Sequence, residues 1–456
     1  MNNIRSFFTQ QIWEPLFLAV KGLPVTRLFK EFKSFQWQNR KQLRERQQKL
    51  LKDLLIHAAS NVPFFREHRP KIIYDAVKSN ASMALREWPI VCKDDINMFR
   101  ADMVIEMDRG TFRNSTGGST GVPTIFFQDK IFQAQTLAAT NLFFDWAGRP
   151  LGAPYVRLWG AVRDLTGGGG GFKYWFGNFA GNRFIFNTFS MSPESMIGYI
   201  KKIEQFKPFV IEGYVDSLDE LARFISGKNI RLKHRPEGII SSAGTLFEEA
   251  RLRIEEAFRA SVFNRYGSRE SGNIACECSH HSGLHVMEET TFLEIVDESG
   301  QPLPPGVEGE VLVTNLWNYT MPLIRYKIGD RAIWSDKKCP CGRPYALLEA
   351  VNGRSSASFR RVDGGVVSPA FFIHFIGVIH NEGGIRKFQV IQEAYDRIVV
   401  LIIPEPSFQI DSWPGKDILT QQIQKAMGNT CKVEYTLVKE IQKTPTGKHE
   451  YTVCKV

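Results

Sequence analysis

Between residues 36 and 60, charged positions dominate early and Leu43, Leu50, Leu51, Leu54 and Leu55 then share one face. That pattern predicts an amphipathic helix. Asn61-Val62-Pro63 ends it, because proline disfavours helix in the residue before it. Trp88-Pro89-Ile90-Val91 reads as a short extended piece, and Lys93-Asp94-Asp95 opens another turn. Thr124-Ile125-Phe126-Phe127 suits a strand, so the polar stretch before it has a strand–loop–strand setting. Residues 129–146 are helical in pattern, and residues 155–160 form an apolar strand. Helix is predicted again over 193–205, 218–225 and 247–258, with strands over 209–214, 238–242 and 262–267 between them.

Alternation of this kind predicts an α/β fold, a large domain of mostly parallel sheets with flanking helices. Ligands then sit beyond the C-terminal ends of the strands. After Glu289 the pattern turns to β, with segments over 292–296 and 309–315, giving a β subdomain. Composition shifts again at Val351-Asn352-Gly353-Arg354. Beyond it, apolar segments at 388–390, 398–403 and 433–437 with helices between predict a small mobile α+β domain. The expected division is a helical extension (1–40), a large domain (41–352) and a C-terminal lid (353–456). Gly167 to Gly171, five glycines in a row, are expected to form a mobile loop near an entrance.

The chain of 456 residues, 43% hydrophobic and 23% charged, has an ordinary globular composition. Its net charge of +10 favours anionic partners such as nucleotides, CoA or an acidic membrane. No aromatic-and-basic RNA-binding motif is present, which disfavours nucleic acid. No apolar run reaches the length of a membrane span. The N-terminal segment carries Phe7, Phe8, Trp13, Leu16 and Phe17 but is interrupted by Gln10, Gln11, Glu14 and Pro15. It does not read as a signal peptide. Two readings stay open for it: a helix docked on the protein's own surface, the favoured one, or an amphipathic segment on an acidic membrane. Seven cysteines, four of them in two Cys-x-Cys pairs, point to a reducing compartment and a metal rather than disulfides. The expected location is the cytoplasm, with peripheral contact at the inner face of the membrane left open.

The polar stretch is Asn114-Ser115-Thr116-Gly117-Gly118-Ser119-Thr120-Gly121-Val122-Pro123-Thr124. Its glycines let the main chain approach a ligand closely, and successive N–H groups with hydroxyls suit a phosphate cradle. A polar surface loop would have the same composition. It is not a Walker loop, since no Lys-Ser/Thr follows the last glycine.

Further motifs follow in order: Tyr266-Gly267-Ser268-Arg269-Glu270, Arg325-Tyr326-Lys327-Ile328-Gly329-Asp330, Gly353-Arg354, and Lys443-Thr444-Pro445-Thr446-Gly447-Lys448. Together they resemble the adenylate-forming superfamily of acyl-CoA ligases, luciferases and peptide-synthetase adenylation domains. Asn61-Val62-Pro63-Phe64-Phe65-Arg66-Glu67, Trp88-Pro89-Ile90 and Met321-Pro322-Leu323-Ile324-Arg325-Tyr326 resemble its phenylacetate–CoA ligase branch, which includes capsular polysaccharide biosynthesis homologues. The resemblance runs from about residue 40 to the end.

It implies ATP-dependent adenylation of a small carboxylic acid with release of pyrophosphate, followed by transfer to coenzyme A. The implied alternatives are transfer to an amine, sugar or carrier, and a degenerate nucleotide-binding homologue. Ser115, Thr116, Gly117, Gly118, Ser119, Thr120 and Gly121 would hold the β- and γ-phosphates. Tyr266, with Gly267 and Ser268, would offer a face for adenine, and Ala243-Gly244 would line its slot. Glu270 would hold Mg²⁺, a hard cation that takes one or two carboxylates plus phosphates. Asp330 would accept from the ribose hydroxyls, and Arg354 would reach ribose or phosphate. Lys448 would enter the site when the lid closes and neutralise charge between carboxylate and α-phosphate. The acid would lie near Tyr214, Ala243 and Tyr266.

Three departures stand out. Thr124 occupies a place where lysine is common, and Thr245 one where an acid is common. No acid follows Arg354 until Asp363, where the family has a hinge aspartate, so thioester formation is less secure than adenylation.

Cys276-Glu277-Cys278, with His280, His281 and His285 following, and Cys339-Pro340-Cys341 match structural zinc, which takes four N/S ligands. Cys278, His285, Cys339 and Cys341 are the preferred ligands, with His281, His280 or Cys276 as substitutes.

Overall fold

The computed structural model describes residues 6–68, 77, 80–105, 110–115, 124–159, 172–188, 190–244, 246, 248–352, 359–367, 371–372, 375–376, 384–405, 408–410, 413, 415–441 and 451–456. A π-helical stretch, Thr9–Trp13, runs directly into α1 (Glu14–Val20), followed by α2 (Val25–Phe35) and the long α3 (Arg40–Asn61). A capping box starts α3: Asn39 Oδ1 accepts from the Gln42 amide at 3.0 Å, and Gln42 Oε1 accepts from the Asn39 amide at 3.2 Å. The two bonds satisfy donors that a helix start otherwise leaves unpaired. Val62 is extended at the end of α3, as the following proline requires.

Strands β1 (Phe112–Ser115) and β2 (Ile125–Gln128) form an antiparallel pair. α4 (Lys130–Trp146) follows, and Asp129 Oδ1 caps it by accepting from the Phe132 amide. Next come β3 (Tyr155–Trp159), α5 (Phe172–Ala180), β4 (Arg183–Asn187), β5 (Ser190–Met191) and α6 (Pro193–Phe206). They lead into β6 (Val210–Tyr214), α7 (Val215–Gly227), β7 (Gly238–Ser242), α8 (Glu248–Phe258) and β8 (Ser261–Ser268). The antiparallel elements are β9 (Gly272–Glu277), β10 (Leu284–Val286), β11 (Thr291–Val296), β12 (Glu308–Asn315), β13 (Tyr326–Trp334) and β14 (Leu347–Asn352).

These strands join in one 11-stranded sheet, ordered β11-β12-β13-β14-β10-β9-β8-β7-β6-β3-β4. β8 is where it changes character. Its first half, Ser261 to Asn264, pairs parallel with β7, and its second half, Arg265 to Ser268, pairs antiparallel with β9. The expected α/β class holds, and the β subdomain proves continuous with the parallel half. Val156, Leu158, Ile211, Ile239 and Val262 bury one face of the parallel strands under α6, α7 and α8. Tyr155, Val210, Ile240 and Phe263 bury the other under α4.

The C-terminal part contains β15 (Phe359–Arg360) and β16 (Val366–Val367), which pair with each other, and β16 also pairs with β5. A four-stranded sheet of β17 (Ile385–Ala394), β18 (Arg397–Pro404), β19 (Lys432–Leu437) and β20 (Thr452–Cys454) follows in the order β19-β18-β17-β20. α9 (Gly415–Met427) covers it through Leu419, Ile423 and Met427.

The N-terminal helices dock on the protein itself. Leu18, Leu23, Leu28, Phe29 and Phe32 share one core with Ala138, Leu142 and Trp146 of α4.

Candidate functional site

The loops at the C-terminal ends of β6, β7 and β8 lie side by side, because these three strands are adjacent. Tyr214 ends β6, and its ring meets Trp159 of β3 with centroids 4.4 Å apart. Ala243 follows β7 with φ +63°, a left-handed conformation uncommon outside glycine. A bulge in β8 separates Tyr266 from Gly267. A Cβ at Gly267 would lie 2.5 Å from the Gly272 carbonyl oxygen, so glycine is required for the turn into β9.

Two tyrosine–carboxylate bonds hold this turn against β13. The Tyr266 hydroxyl donates to Asp330 Oδ2 at 3.0 Å, and the Tyr326 hydroxyl donates to Glu270 Oε1 at 3.0 Å. β8 and β13 lie four strand steps apart in the sheet, which would be about 19 Å if it were flat. The antiparallel half must therefore curl, bringing Tyr266, Glu270 and Asp330 together. Burial, then the Asp330 charge and bond, raise the Tyr266 hydroxyl well above its ordinary pKa. It therefore acts as a hydrogen-bond donor rather than a base.

The start of the polar stretch joins the same cluster. Arg269 Nη1 donates to the Ser115 carbonyl at 3.4 Å, and Gln128 Nε2 donates to the Arg269 carbonyl at 2.8 Å. The Ser271 amide donates to Ser268 Oγ at 3.0 Å, which fixes the turn around Glu270. Ser115, Tyr266, Gly267, Ser268, Glu270 and Asp330 are thus brought together, with Tyr214, Ala243 and Gly244 on the neighbouring strand ends. Thr116 to Gly121, Arg354, Lys448 and the Gly167–Gly171 loop lie outside the described residues. Tyr326 and Arg269 belong to motifs visible in the sequence, but no role was assigned to either from it.

Under Trp159, Glu212 of β6 lies fully buried between Arg157 and Arg265. Arg265 Nη1 donates to Glu212 Oε1 at 2.5 Å and Arg157 Nη2 to the same oxygen at 3.1 Å. Burial alone would raise this carboxyl. The two guanidiniums outweigh that and hold it at about 2. Nothing in the strand pattern foretold a charged triad inside the parallel sheet.

A second cluster lies where β9 ends. Cys278 Sγ is 3.5 Å from Cys339 Sγ and 3.4 Å from His285 Nε2, and Cys341 Sγ is 3.5 Å from the same nitrogen. All four donor atoms fall within 4.8 Å of one another. Three thiols and an imidazole converging on one point suit a tetrahedral zinc site, with no position left for substrate. Burial pushes the Cys278 thiol up to about 12 and pulls the His285 ring down to about 4. A divalent cation bound here would hold the cysteines as thiolates and the ring as neutral imidazole. Cys276, one of the substitutes, is buried outside this group, and His281 Nδ1 instead pairs with Glu277 Oε2 at 3.1 Å. The cluster is braced by the N-terminal helices. Gln36 Oε1 accepts from Trp146 Nε1 and from Arg343 Nε, both at 2.8 Å, and the Arg343 guanidinium lies 4.7 Å from the ring centres of Trp37 and Trp146.

A cleft lined by Arg40, Arg44, Gln48, Lys52, Phe292 and Trp334 contains none of the predicted site residues and lies beside the antiparallel strands.

Comparison with known proteins finds relatives in sequence and in fold. A solved 2-hydroxyisobutyryl-CoA ligase, with 2-HIB-AMP and CoA in its thioesterification state, superposes with a TM-score of 0.56 at 18% identity, covering 90% of this chain and 89% of that one. Protein CapK of Staphylococcus aureus is 24% identical over 378 residues, 82% of this chain and 80% of CapK. The chain resembles adenylate-forming ligases in sequence and in fold. Its sequence relatives are CapK and phenylacetate-coenzyme A ligases. Phenylacetate-coenzyme A ligase of Thermus thermophilus is 26% identical over 328 residues, 69% of this chain and 71% of the ligase. The family model of the CapK C-terminal domain matches residues 359–455. No helix among the described residues is long and apolar enough to cross a membrane.

Proposed function

We propose that this protein activates a small carboxylic acid with ATP, releasing pyrophosphate, and passes the acyl group to coenzyme A. The observation that carries the reading is the reciprocal pair of tyrosine–carboxylate bonds, Tyr266 to Asp330 and Tyr326 to Glu270. They hold a flat ring and two carboxylates at the mouth of the parallel strands, where an α/β fold binds ligands. The Tyr266 ring packs against adenine while its hydroxyl stays on Asp330, and the second lone pairs of that carboxylate accept from the ribose.

Glu270 supplies a hard oxygen for Mg²⁺, which offsets phosphate charge when bound. Ser115 and the residues through Gly121 contribute amides and hydroxyls to the β- and γ-phosphates. With Thr124 in place of a lysine, the protein's positive charge toward the phosphates comes from Arg354 and Lys448. The acid's tail lies beside Tyr214 and Ala243. Lys448, carried by a C-terminal lid from residue 353 onward, meets the carboxylate and α-phosphate as charge develops between them. Cys278, His285, Cys339 and Cys341 would hold a structural zinc ion that ties the end of β9 to residues 335–346. ATP, CoA and seven cysteines without a disulfide among them suit a cytoplasmic setting.

Acid-dependent exchange of labelled pyrophosphate into ATP tests this reading. Lys448→Ala should abolish exchange while nucleotide still binds, and undiminished exchange would remove that lysine from the mechanism. The similarity to CapK over 82% of the chain supports a second acceptor, an amine, sugar or carrier in polysaccharide synthesis. CoA consumption with an acid that supports exchange separates the two. A chain that binds ATP calorimetrically but releases no AMP with any acid would be a degenerate homologue.

A further inference from the structure

The helix formed by Thr9–Trp13 and α1 has two apolar sides, and only one of them is used. Its inner side is docked. Trp13 meets Phe179 with ring centroids 5.9 Å apart, Phe17 meets Phe176 at 5.8 Å, and Leu18 is buried. A Cβ at Gly152 would lie 2.9 Å from both the Gln10 amide nitrogen and the Ser6 carbonyl oxygen. This contact leaves the helix no room to roll.

The outer side carries Phe8, Ile12, Leu16 and Val20, which are 43%, 43%, 52% and 81% exposed. They are spaced by four. In an α-helix that spacing gains on the turn, and the wider π stretch offsets the gain, so the row stays on one face. Phe7 (59%) and Trp175 of α5 (57%) are exposed as well. Such a run of large apolar side chains on a soluble surface marks an interaction site.

Charge decides the partner. Residues 6–30 hold a single acid, Glu14. It is turned inward near Arg149 and Arg183, and burial raises its pKa. Cations gather at the C-terminal end of the row. Lys21 lies 4.3 Å over the Phe17 ring, and a Cβ at Gly22 would lie 3.8 Å from Lys130 Nζ. Lys30 follows on α2, where Arg27 is paired with Glu31 at 3.7 Å. An anionic lipid surface satisfies both components, apolar side chains entering the headgroup layer and cations facing phosphates.

We infer that this helix is a peripheral membrane anchor, laying Phe8, Ile12, Leu16 and Val20 into an anionic bilayer surface with Lys21 and Lys130 at its rim. The apolar row is independent of the catalytic reading, since Phe8, Ile12, Leu16 and Val20 take no part in the bonds that hold Tyr266 and Glu270.

Vesicle co-sedimentation of the full chain tests it. Vesicles of phosphatidylcholine with phosphatidylglycerol should retain the protein about tenfold better than phosphatidylcholine alone, and high salt should reduce the difference. Phe8→Ser/Ile12→Ser/Leu16→Ser should lose that binding with pyrophosphate exchange unchanged. Val20→Asp, at the most exposed position of the row, serves as a second variant if the triple fails to fold. Lys21→Glu should weaken binding at least about fivefold. The inference is overturned if the protein ignores anionic vesicles, or if both apolar variants bind as well as the parent. It is overturned equally if light scattering shows a dimer that these variants dissociate while vesicles are not bound.

Discussion

Replacing Tyr326 by phenylalanine removes one oxygen from a fully buried side chain and leaves the ring in place. The ring sits in the core with Val91, Ile324 and Leu323, and the backbone of Tyr326 bridges to Val91. Packing is therefore kept, and the principal loss is the 3.0 Å bond to Glu270 Oε1. A hydrogen bond to a charged group contributes about 1.5–3 kcal/mol. If Glu270 is oriented by that bond to serve Mg-ATP, the loss belongs to the adenylation step. At 1.36 kcal/mol per decade, acid-dependent pyrophosphate exchange should fall about 10- to 150-fold. The Mg²⁺ concentration for half-maximal exchange should rise, while the circular dichroism spectrum stays that of the parent. On a Glu270→Gln background the same change meets a neutral acceptor and should cost only about 0.5–1.5 kcal/mol. Exchange within twofold of the parent at every Mg²⁺ concentration would refute the reasoning. Equal losses in both backgrounds would do so too, since the hydroxyl would then act independently of the carboxylate.

Elemental analysis should find one zinc per chain, and a strong chelator should lower the thermal midpoint by several degrees, with Cys339→Ser giving the same loss without chelator. Glu289, buried beneath Tyr345, has its pKa raised to about 7 by burial, with the 2.5 Å bond from the Tyr345 hydroxyl lowering it only in part. The folded protein therefore holds a proton there that the unfolded chain releases near its ordinary value of 4.5. Stability should then fall as pH rises from about 4.5 to about 7 and level off above, a cost on the order of 3 kcal/mol. Glu289→Gln should flatten that slope in melts at a series of pH values. Glu212→Leu strands two guanidiniums around an apolar side chain and should destabilise the fold by about 3–5 kcal/mol in urea titrations. Unchanged midpoints would mean that the triad is already solvated.

The parallel half of the sheet was legible because strands such as Gly238–Ser242 are short runs of apolar and small residues bounded by turn signals. Its order along the chain followed from the alternation with helices. The antiparallel half was only partly so. Gly272–Glu277 and Leu284–Val286 carry cysteine, histidine and glutamate without a period of two, since their burial depends on the cysteine–histidine cluster and on ion pairs such as Arg251 with Glu277. Glu212 was hidden for a related reason. A charge inside a buried strand contradicts local propensity, and only the cross-strand neighbours Arg157 and Arg265 make it tolerable. The site motifs were visible as strings, but their mutual bonds come from the curl of the sheet, which no local pattern encodes. The preferred zinc set coincides with the cluster because two tight Cys-containing turns leave few ways to converge on one histidine.

Gln36 gives the N-terminal helices a standing that their position in the chain conceals. A fragment begun at residue 41 would strip the acceptor from both Trp146 and Arg343, and it would uncover the apolar bed now filled by Phe29 and Phe32. Those two partners flank the turns that present Cys341 and His285. Trimming the chain to its recognisable motifs would thus damage the very part it meant to isolate, and the smallest self-sufficient catalytic piece has to begin upstream of α2.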